Sequence, residues 1–267
     1  MARYGVITDI HGNFEALTAA LDFLDRAGVD RIVCCGDVVG YNADGDRCAE
    51  ALRSRGVDTI AGNHDLIATG RLDTKRCWYK AAHALERTRQ ELSDASRRFL
   101  ESLPATRRYE GRLMLIHGGL DDPTRYLRSA EIVKEDALRL AERDPAIRYC
   151  MFGHTHDPII YRIHRDGEVD VLAGHGERRL DPSFLHFINP GSIDAARKAN
   201  YRHAEFAILD TDRARIHFER VRYDAERAEH KARAGGYRTT WIHDLRHHAD
   251  KQVRRARHFA NKARAHF

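Results

Sequence analysis

Residues 4–13 read YGVITDIHGN, an apolar run followed at once by polar side chains and a glycine. The apolar part, residues 4–8, has the length and composition of a buried β-strand. Beyond it, residues 14–27 place apolar side chains at three- and four-residue spacing and end at Gly28, which predicts an α-helix with a glycine cap. The stretch is therefore a strand and a helix joined by a short polar turn.

The same unit recurs along the chain, and each strand-like run is followed by a short motif of Gly, Asp, Asn or His. Further strands are predicted over residues 31–35, 58–61, 113–116 and 149–152, with helices over 46–55 and 130–143. An alternation of this kind is typical of an α/β fold with partly parallel strands. The motifs after the five strands are DIHGN at 9–13, GDVVG at 36–40, GNHD at 62–65, HGG at 117–119 and GHTH at 153–156.

Two other parts of the chain depart from this alternation. Residues 77–103 carry a helical pattern that stops at Pro104, which predicts a pair of helices forming a cap or flank. From Ala225 onward the composition is again helical, apart from Gly235 and Gly236. Between these parts the pattern predicts two antiparallel hairpins, 159–164 with 169–172 and 206–209 with 214–221.

The five motifs carry side chains that bind metals. Because the carboxyl ends of parallel strands meet at one edge of a sheet, we expect these side chains to converge. Carboxylate, amide and imidazole groups together suit manganese, iron or zinc better than magnesium or calcium alone. One cation would leave several of these ligands unused, whereas a pair about 3.5–4 Å apart polarises a phosphoryl oxygen and holds a hydroxide of low pKa. The sequence thus predicts a phosphoester hydrolase.

The composition is that of a folded protein. The chain has 267 residues, 42% hydrophobic and 32% charged, which excludes disordered, collagen-like and disulfide-stapled classes. The five cysteines form no CxxC pair, and we predict them to be reduced and mostly buried. No apolar run reaches the length of a membrane span and no signal peptide precedes the first strand, so we expect a cytoplasmic location.

Charge is unevenly distributed along a chain whose net charge is +5. Residues 246–267 are rich in Lys and Arg, with Asp250 as their acidic residue, and their apolar side chains recur at helical spacing. These apolar side chains are mostly alanines, which suit close helix packing. We therefore expect residues 246–267 to form a basic C-terminal helical extension that docks on the rest of the chain or on a second copy of it. Attraction to nucleic acid and binding to a membrane surface are the less favoured alternatives.

Taken together, the five motifs closely resemble those of the calcineurin-like metallophosphoesterase superfamily, in particular its compact bacterial and archaeal phosphodiesterases and phosphatases. The resemblance runs over about residues 3–245 and includes DVVGYN at 37–42 and NPGS at 189–192. It implies a two-sheet β-sandwich of mixed strands with helices on both outer faces, an αββα arrangement. We therefore predict a metallophosphoesterase domain over residues 1–245, with 66–104 as a helical cap or flank within it.

The resemblance also implies roles for individual residues. His64 corresponds to the family's catalytic histidine, which contacts the phosphate and protonates the leaving oxygen. Asn63, His64 and Arg197 would contact the substrate. The implied cofactors are two divalent transition metals from among Mn, Fe, Zn, Ni and Co, with Mn favoured. Their ligands would be Asp9, His11 and His156 for one cation, Asn63, His117 and His154 for the other, and Asp37 as the bridge.

The chain departs from the superfamily's serine/threonine protein phosphatases at several positions. Gly40 and Tyr41 stand where those enzymes carry an aspartate and an arginine, and Asp65 stands where they carry a glutamate. These differences favour the small-molecule branch over protein dephosphorylation. Gly119 stands where relatives in general commonly carry a serine, and this change next to His117 bears on substrate positioning and not on metal binding.

The expected function is hydrolysis of a small phosphodiester, dinucleoside polyphosphate or phosphomonoester through a metal-bridging hydroxide. The alternatives are a non-catalytic protein-binding scaffold of the same fold, a serine/threonine protein phosphatase, and a nuclease recruited by the basic tail. Retention of every implied ligand and of His64 favours catalysis. We expect the walls of the substrate pocket to come from residues 66–104, 120–128 and 174–182.

Overall fold

A computed structural model describes residues 2–75, 77–109, 112–194, 202–240 and 243 of the chain. Arg197 and the extension predicted over 246–267 lie outside the described residues. Within them, the structure contains no helix that combines the length and the apolar character needed to cross a bilayer.

Strands and helices alternate through the first half of the described chain, and strands dominate the second half. In order, the elements are β1 (Arg3–Ile7), α1 (Phe14–Ala27), β2 (Arg31–Cys34), α2 (Gly45–Ser54), β3 (Asp58–Thr59), α3 (Asn63–Ala68), α4 (Tyr79–Glu91), α5 (Asp94–Ser102), β4 (Arg107–Tyr109), β5 (Leu113–Leu115), α6 (Ala130–Arg143), β6 (Tyr149–Met151), β7 (Ile159–Ile163), β8 (Val169–Ala173), β9 (Gly176–Arg179), β10 (Leu185–Asn189), β11 (His203–Asp210), β12 (Arg215–Arg222) and α7 (Ala225–Ala234).

The described strands form two six-stranded sheets. The first has the order β3-β2-β1-β11-β12-β9, in which β1, β2 and β3 are parallel and the other pairs are antiparallel. The second has the order β4-β5-β6-β10-β7-β8, in which β5, β6 and β10 are parallel and the outer pairs are antiparallel. The expected combination of parallel strands with later antiparallel hairpins is confirmed.

The two sheets pack face to face, with helices on their outer faces. Successive residues of a strand point to opposite faces. Val6 of β1 accordingly lies in a buried cluster with Met151 of β6, between the sheets, whereas Ile7 packs in another cluster with Leu17 of α1. In the second sheet, Cys150 of β6 packs in the cluster that contains the apolar face of α6. The predicted αββα sandwich is confirmed.

Local capping signals explain why some elements have their predicted bounds. The Asn13 side chain accepts from Ala16 N at the start of α1, and Gly28 ends the helix with a left-handed backbone, φ 63°. The Ser129 side chain accepts from Ile132 N at the start of α6. By contrast, α3, β4, β9 and β10 are not predicted from the sequence.

The C-terminal segment, residues 225–240, contacts α1, α4 and the start of α2. It includes α7, and its Ala232 and Tyr237 pack against Ala84 of α4. The Tyr237 hydroxyl donates to a carboxylate oxygen of Glu91, 2.7 Å away, at the end of α4. Lys231 Nζ lies 2.6 Å from Glu15 Oε1 of α1 and 2.5 Å from Asp44 Oδ2, just before α2.

Candidate active site

The side chains from the five motifs gather at the carboxyl ends of strands β1, β2 and β3 of the first sheet and β5 and β6 of the second. Each ligand therefore owes its place to the end of a buried strand and to the tight turn that follows it. The first sheet supplies Asp9, His11, Asp37 and Asn63, and the second supplies His117, His154 and His156.

One half of this ligand cluster surrounds Asp9. His156 Nε2 lies 3.3 Å from Asp9 Oδ1, and His11 Nε2 lies 3.8 Å from the same oxygen. The two ring nitrogens are themselves only 3.2 Å apart. One ligand atom from each of these three side chains lies within 4.8 Å of the others, so all three can contact a single cation.

The other half of the cluster surrounds Asp37. His117 Nε2 lies 3.3 Å from Asp37 Oδ2 and 3.0 Å from Asn63 Oδ1. Asp37, His117 and His154 also offer ligand atoms within 4.8 Å of one another. Because His11 Nε2 lies 3.8 Å from Asp37 Oδ2, this oxygen is situated between the two halves.

Hydrogen bonds on the outer side of the cluster orient its side chains. His117 Nδ1 donates to Cys35 O at 2.7 Å, and His154 Nε2 donates to Thr124 O at 3.2 Å. Since a neutral imidazole has one N–H, the remaining nitrogen of each ring carries a lone pair. Burial would lower the pKa of His117, but Asp37 outweighs it and raises the pKa to about 9, so a cation that binds here displaces a proton. Once that proton is lost, His117 Nε2 and the Asn63 oxygen face each other as two acceptors, an arrangement that a shared cation stabilises.

The backbone at the cluster is strained. Left-handed conformations of non-glycine residues cost on the order of 1–3 kcal/mol each and concentrate at functional sites. Backbone hydrogen bonds hold them here, since the amides of Ile10 and His11 both donate to Asp37 O at 2.9 Å. Among the described residues, the positive φ values outside glycine occur at Ala214 (49°) and at five cluster members, Asp9 (53°), His11 (51°), Asp37 (55°), His154 (65°) and His156 (62°).

Electrostatics favour a cation at the cluster. Burial alone would raise the pKa of Asp37, but the facing histidines, His117 foremost, hold it well below its usual range. The pKa of Asp9 is likewise lowered, because His156 outweighs the effect of burial. Burial, reinforced by His117, lowers the pKa of His154 to about 3, so this ring is neutral at pH 7. Ionised carboxylates and neutral imidazoles are the forms that bind metals.

His64 lies at the edge of the cluster. Its ring centroid is 4.6 Å from that of His11 and 4.9 Å from that of Tyr41, and the residue is buried. Its amide donates to Asp37 Oδ1 at 2.8 Å. Asp65 joins the turn after β2 to the turn after β3, because its carboxylate accepts from the amides of Val38, Val39 and Gly62.

Two departures from the family pattern have steric explanations. Gly40 has φ 138°, and a Cβ there would lie 2.4 Å from His64 Nδ1, so a side chain at this position would displace His64. A Cβ on Gly119 would lie 2.8 Å from Asp136 Oδ2 and 2.9 Å from Arg125 Cδ. The space next to His117 that a serine side chain would need is therefore already filled.

Two cavities meet at the cluster. One, about 750 Å³, extends from His11 and His156 to the C-terminal segment. Another, about 570 Å³, lies beside Asn63 and is lined by residues from two of the predicted wall segments, 66–104 and 120–128. The side chains that line both cavities are Tyr41, His64, Trp78, Tyr126 and His154.

The expectation that residues 174–182 form a pocket wall is wrong. This stretch contains β9, which pairs with β12 at an edge of the first sheet, and none of its residues lines either cavity. The C-terminal segment supplies a wall of the larger cavity instead, through residues that include Glu229, Arg233, Tyr237 and Arg238. Their helical composition gave no indication of this role.

Arg238 connects the C-terminal segment to the loop after β2. Its Nη1 donates to Tyr41 O at 2.6 Å and its Nη2 donates to Asn42 Oδ1 at 2.9 Å. Asn42 Nδ2 in turn donates to His11 O at 3.1 Å, and the Tyr41 ring centroid lies 4.7 Å from that of His11. Arg238 is therefore a positioning residue that acts on the cluster through Tyr41 and Asn42.

We expect Arg238→Met to lower the free energy of unfolding by about 2 kcal/mol, because it removes charged hydrogen bonds from a half-buried guanidinium. For a chain of this size the melting temperature should fall by about 5 °C. Hydrolytic activity should fall as well, since the loop beside His11 loosens. Arg233→Met is the matched control, because the Arg233 side chain is 72% exposed and pairs with Glu229 on the surface. Equal melting temperatures for the two variants would contradict the role given to Arg238.

Comparison with known proteins identifies the family. The calcineurin-like phosphoesterase superfamily domain matches residues 2–214. The chain belongs to this superfamily. The chain is 30% identical to a metallophosphoesterase from Sphaerobacter thermophilus, with a TM-score of 0.72 over 88% of this chain and 94% of that one. The C-terminal segment lies beyond the matched residues 2–214.

Two further proteins are also similar to the chain. A hypothetical protein from Pyrococcus horikoshii OT3 shares the fold, with 19% identity and a TM-score of 0.69 over 88% of this chain and 93% of that one. An uncharacterised protein from Methanocaldococcus jannaschii is 28% identical over 229 residues, which are 85% of this chain and 90% of that protein.

Proposed function

We propose that this phosphoesterase is a divalent-metal-dependent hydrolase of a small phosphodiester, dinucleoside polyphosphate or phosphomonoester. The observation that carries the proposal is the convergence of carboxylate and imidazole ligand atoms from both sheets on one cluster, in groups that each fit within 4.8 Å, with the Asn63 amide oxygen 3.0 Å from His117 Nε2. Membership of a phosphoesterase superfamily supports this chemistry. Cavities of about 750 and 570 Å³ suit a small molecule rather than a folded protein substrate.

The donor set fits two divalent transition-metal ions better than one. Asn63 Oδ1 lies 3.0 Å from His117 Nε2, and the Nε2 atoms of His11 and His156 lie 3.2 Å apart, which are two separate places for a cation once the histidines are deprotonated. Mixed oxygen and imidazole ligands suit Mn, Fe, Zn, Co or Ni, among which we favour Mn. Asp9, His11 and His156 would hold one ion, Asn63, His117 and His154 the other, and Asp37 both.

When bound, such ions supply Lewis-acid charge for phosphoryl oxygens and lower the pKa of an attacking water. We assign the proton for the leaving oxygen to His64, whose imidazole lines both cavities beside the cluster. Tyr41 packs against this ring, and the amide of His64 donates to Asp37, so the proton donor is held at a fixed distance from the cluster. Asp65 keeps the two turns that carry Asp37 and His64 in register.

Metal removal tests the proposal. Dialysis of the purified full-length protein against EDTA should abolish hydrolysis of bis(p-nitrophenyl) phosphate and p-nitrophenyl phosphate, and Mn²⁺ should restore it. Elemental analysis of the restored protein should find about two metal ions per chain. A protein that keeps full activity after chelation, or that binds less than one ion per chain at saturation, would refute the proposal. The relative rates on the diester and the monoester, followed by cyclic nucleotides and dinucleoside polyphosphates, define the substrate class.

A further inference from the structure

Two exposed aromatic side chains line the cavities. Trp78, directly before α4, is 55% exposed, and Tyr126, in the loop between β5 and α6, is 46% exposed. Both line both cavities. The other large hydrophobic side chains that are exposed in the described parts of the chain are aliphatic and line neither cavity: Leu138, Val171 and Leu172.

An aromatic ring in water gains free energy when another flat apolar group covers it. Tyr126 already has contacts of its own, since it stacks on His154 with centroids 3.9 Å apart and carries the Arg128 guanidinium 4.1 Å from its centroid. The Trp78 ring is contacted at its edge by Tyr79, with planes at 80° and centroids 5.7 Å apart. Trp78 is thus the larger and more open of the two surfaces.

A cationic side chain lies next to each of the rings of Trp78 and Tyr126. Lys80 Nζ lies 5.5 Å from the centroid of Trp78, and Arg128 lies over Tyr126, while His154 connects Tyr126 to the ligand cluster. A ligand that reaches from the cluster to Trp78 therefore passes from a site for a phosphate to a flat aromatic surface flanked by positive charge. Nucleotides combine an anionic phosphate with a planar base in this order.

We propose that Trp78 is a specificity-determining residue that stacks on the base of a nucleoside phosphoester whose phosphate lies at the ligand cluster. This inference rests on the proposed function and narrows its substrate class to nucleoside phosphoesters. Stacking on an indole is tolerant of base identity, because every base has a π face. Arg128, stacked on Tyr126, provides a cation for the phosphate on the side of the cluster that Tyr126 occupies.

Tryptophan fluorescence measures this interaction without turnover. The chain contains two tryptophans, Trp78 and Trp241, so the Trp241→Phe protein reports on Trp78 alone. The Mn²⁺-loaded full-length protein is titrated with the hydrolysis-resistant 5′-phosphonates of adenosine and of ribose, which differ only in the base. The adenosine compound should quench Trp78 and bind about 5- to 100-fold more tightly than the ribose compound. Phenylphosphonate, an aromatic anion without a nucleoside, should bind more weakly than the adenosine compound.

Substitution of the ring separates stacking from a general loss of affinity. Calorimetric titration of Trp78→Ala should give the adenosine compound the affinity of the ribose compound and leave the latter unchanged, and Trp78→Phe should keep most of the preference. Equal affinities for the two compounds in the unsubstituted protein, an equal loss of both in Trp78→Ala, or phenylphosphonate binding as tight as that of the adenosine compound would overturn the proposal.

The two proposals can fail separately. Hydrolysis of bis(p-nitrophenyl) phosphate with no preference for the adenosine compound would overturn the stacking role and leave the hydrolase intact. A preference for the adenosine compound with no hydrolysis of any phosphoester would support the stacking role and remove the proposed function.

Discussion

We expect Asp37→Asn to remove nearly all phosphoester hydrolysis and at least one metal ion per chain. Asp37 Oδ2 lies 3.3 Å from His117 Nε2 and 3.8 Å from His11 Nε2, so a single carboxylate oxygen serves both halves of the ligand cluster. An amide at this position has no charge to offer two cations. The loss should exceed the roughly 10- to 100-fold that removal of a ligand's supporting partner costs, because the ligand itself is changed.

Elemental analysis and activity with saturating Mn²⁺ measure the Asp37→Asn effect on the same sample. Asp121→Asn is the matched control, since this carboxylate is 46% exposed and pairs on the surface with Arg143. The control should keep its metal content and its activity. An Asp37→Asn protein that retains two ions per chain, or turnover close to that of the control, would show that Asp37 does not bridge the halves.

We expect His64→Ala to keep its metal content and to lower kcat by about 10²- to 10⁴-fold, which is the range for loss of general acid catalysis. The ring packs against His11 and Tyr41 beside the cluster, where it is placed to protonate the oxygen that leaves. A p-nitrophenolate needs little help to leave, whereas an alkoxide needs a proton. The loss should therefore be smaller on p-nitrophenyl esters than on alkyl esters.

The leaving-group comparison is the decisive measurement for His64. His217→Ala serves as the control, because this histidine is half exposed on β12 and pairs with Glu219. Gly40→Ala is an independent probe, since its Cβ would come within 2.4 Å of His64 Nδ1 and displace the ring without removing it. Equal losses on p-nitrophenyl and alkyl esters in His64→Ala would argue against the acid role and leave His64 as a phosphate contact.

The fold could be predicted in outline because its information is largely local. Residues 4–13 contain a strand and the turn after it, and the cap at Asn13 and the glycine at 28 set the bounds of α1. The order of the strands in the sheets was not available from the sequence, since β1 pairs with β11 about two hundred residues later in the chain. The short strands β9 and β10 are defined by their pairing with β12 and β7, respectively, and not by an apolar period in their own sequences.

The ligand cluster could be foreseen for a similar reason. Each of its side chains follows a strand, so the rule that parallel strand ends meet at one edge was enough to bring Asp9 and Asp37 together in the first sheet and His117 and His154 together in the second. That the two sheets place these edges side by side, so that Asp37 meets His117, follows from the packing of the sandwich and not from this rule. The residues that hold the cluster in place follow no such rule. Asn189 Nδ2 donates to Gly153 O at 2.8 Å and to Thr155 Oγ1 at 2.9 Å, and no spacing in the sequence connects these positions. Trp78 lies in the stretch 66–104 that was expected to line the pocket, but no pattern in that stretch distinguishes this residue, and the helical composition after Ala225 does not distinguish Arg238; the folded chain identifies both at the cavities.

The bond from Arg238 to the loop at Tyr41 and Asn42 has a consequence for biosynthesis. Arg238 lies 197 residues after Tyr41 and 196 residues after Asn42. The ribosome therefore synthesises the loop long before the arginine that binds it. A nascent chain that ends at residue 222 already contains every described strand of both sheets, but it lacks α7 and Arg238. The order of translation therefore makes the site one of the last parts of the molecule to be completed, after the sandwich that supports it has been synthesised.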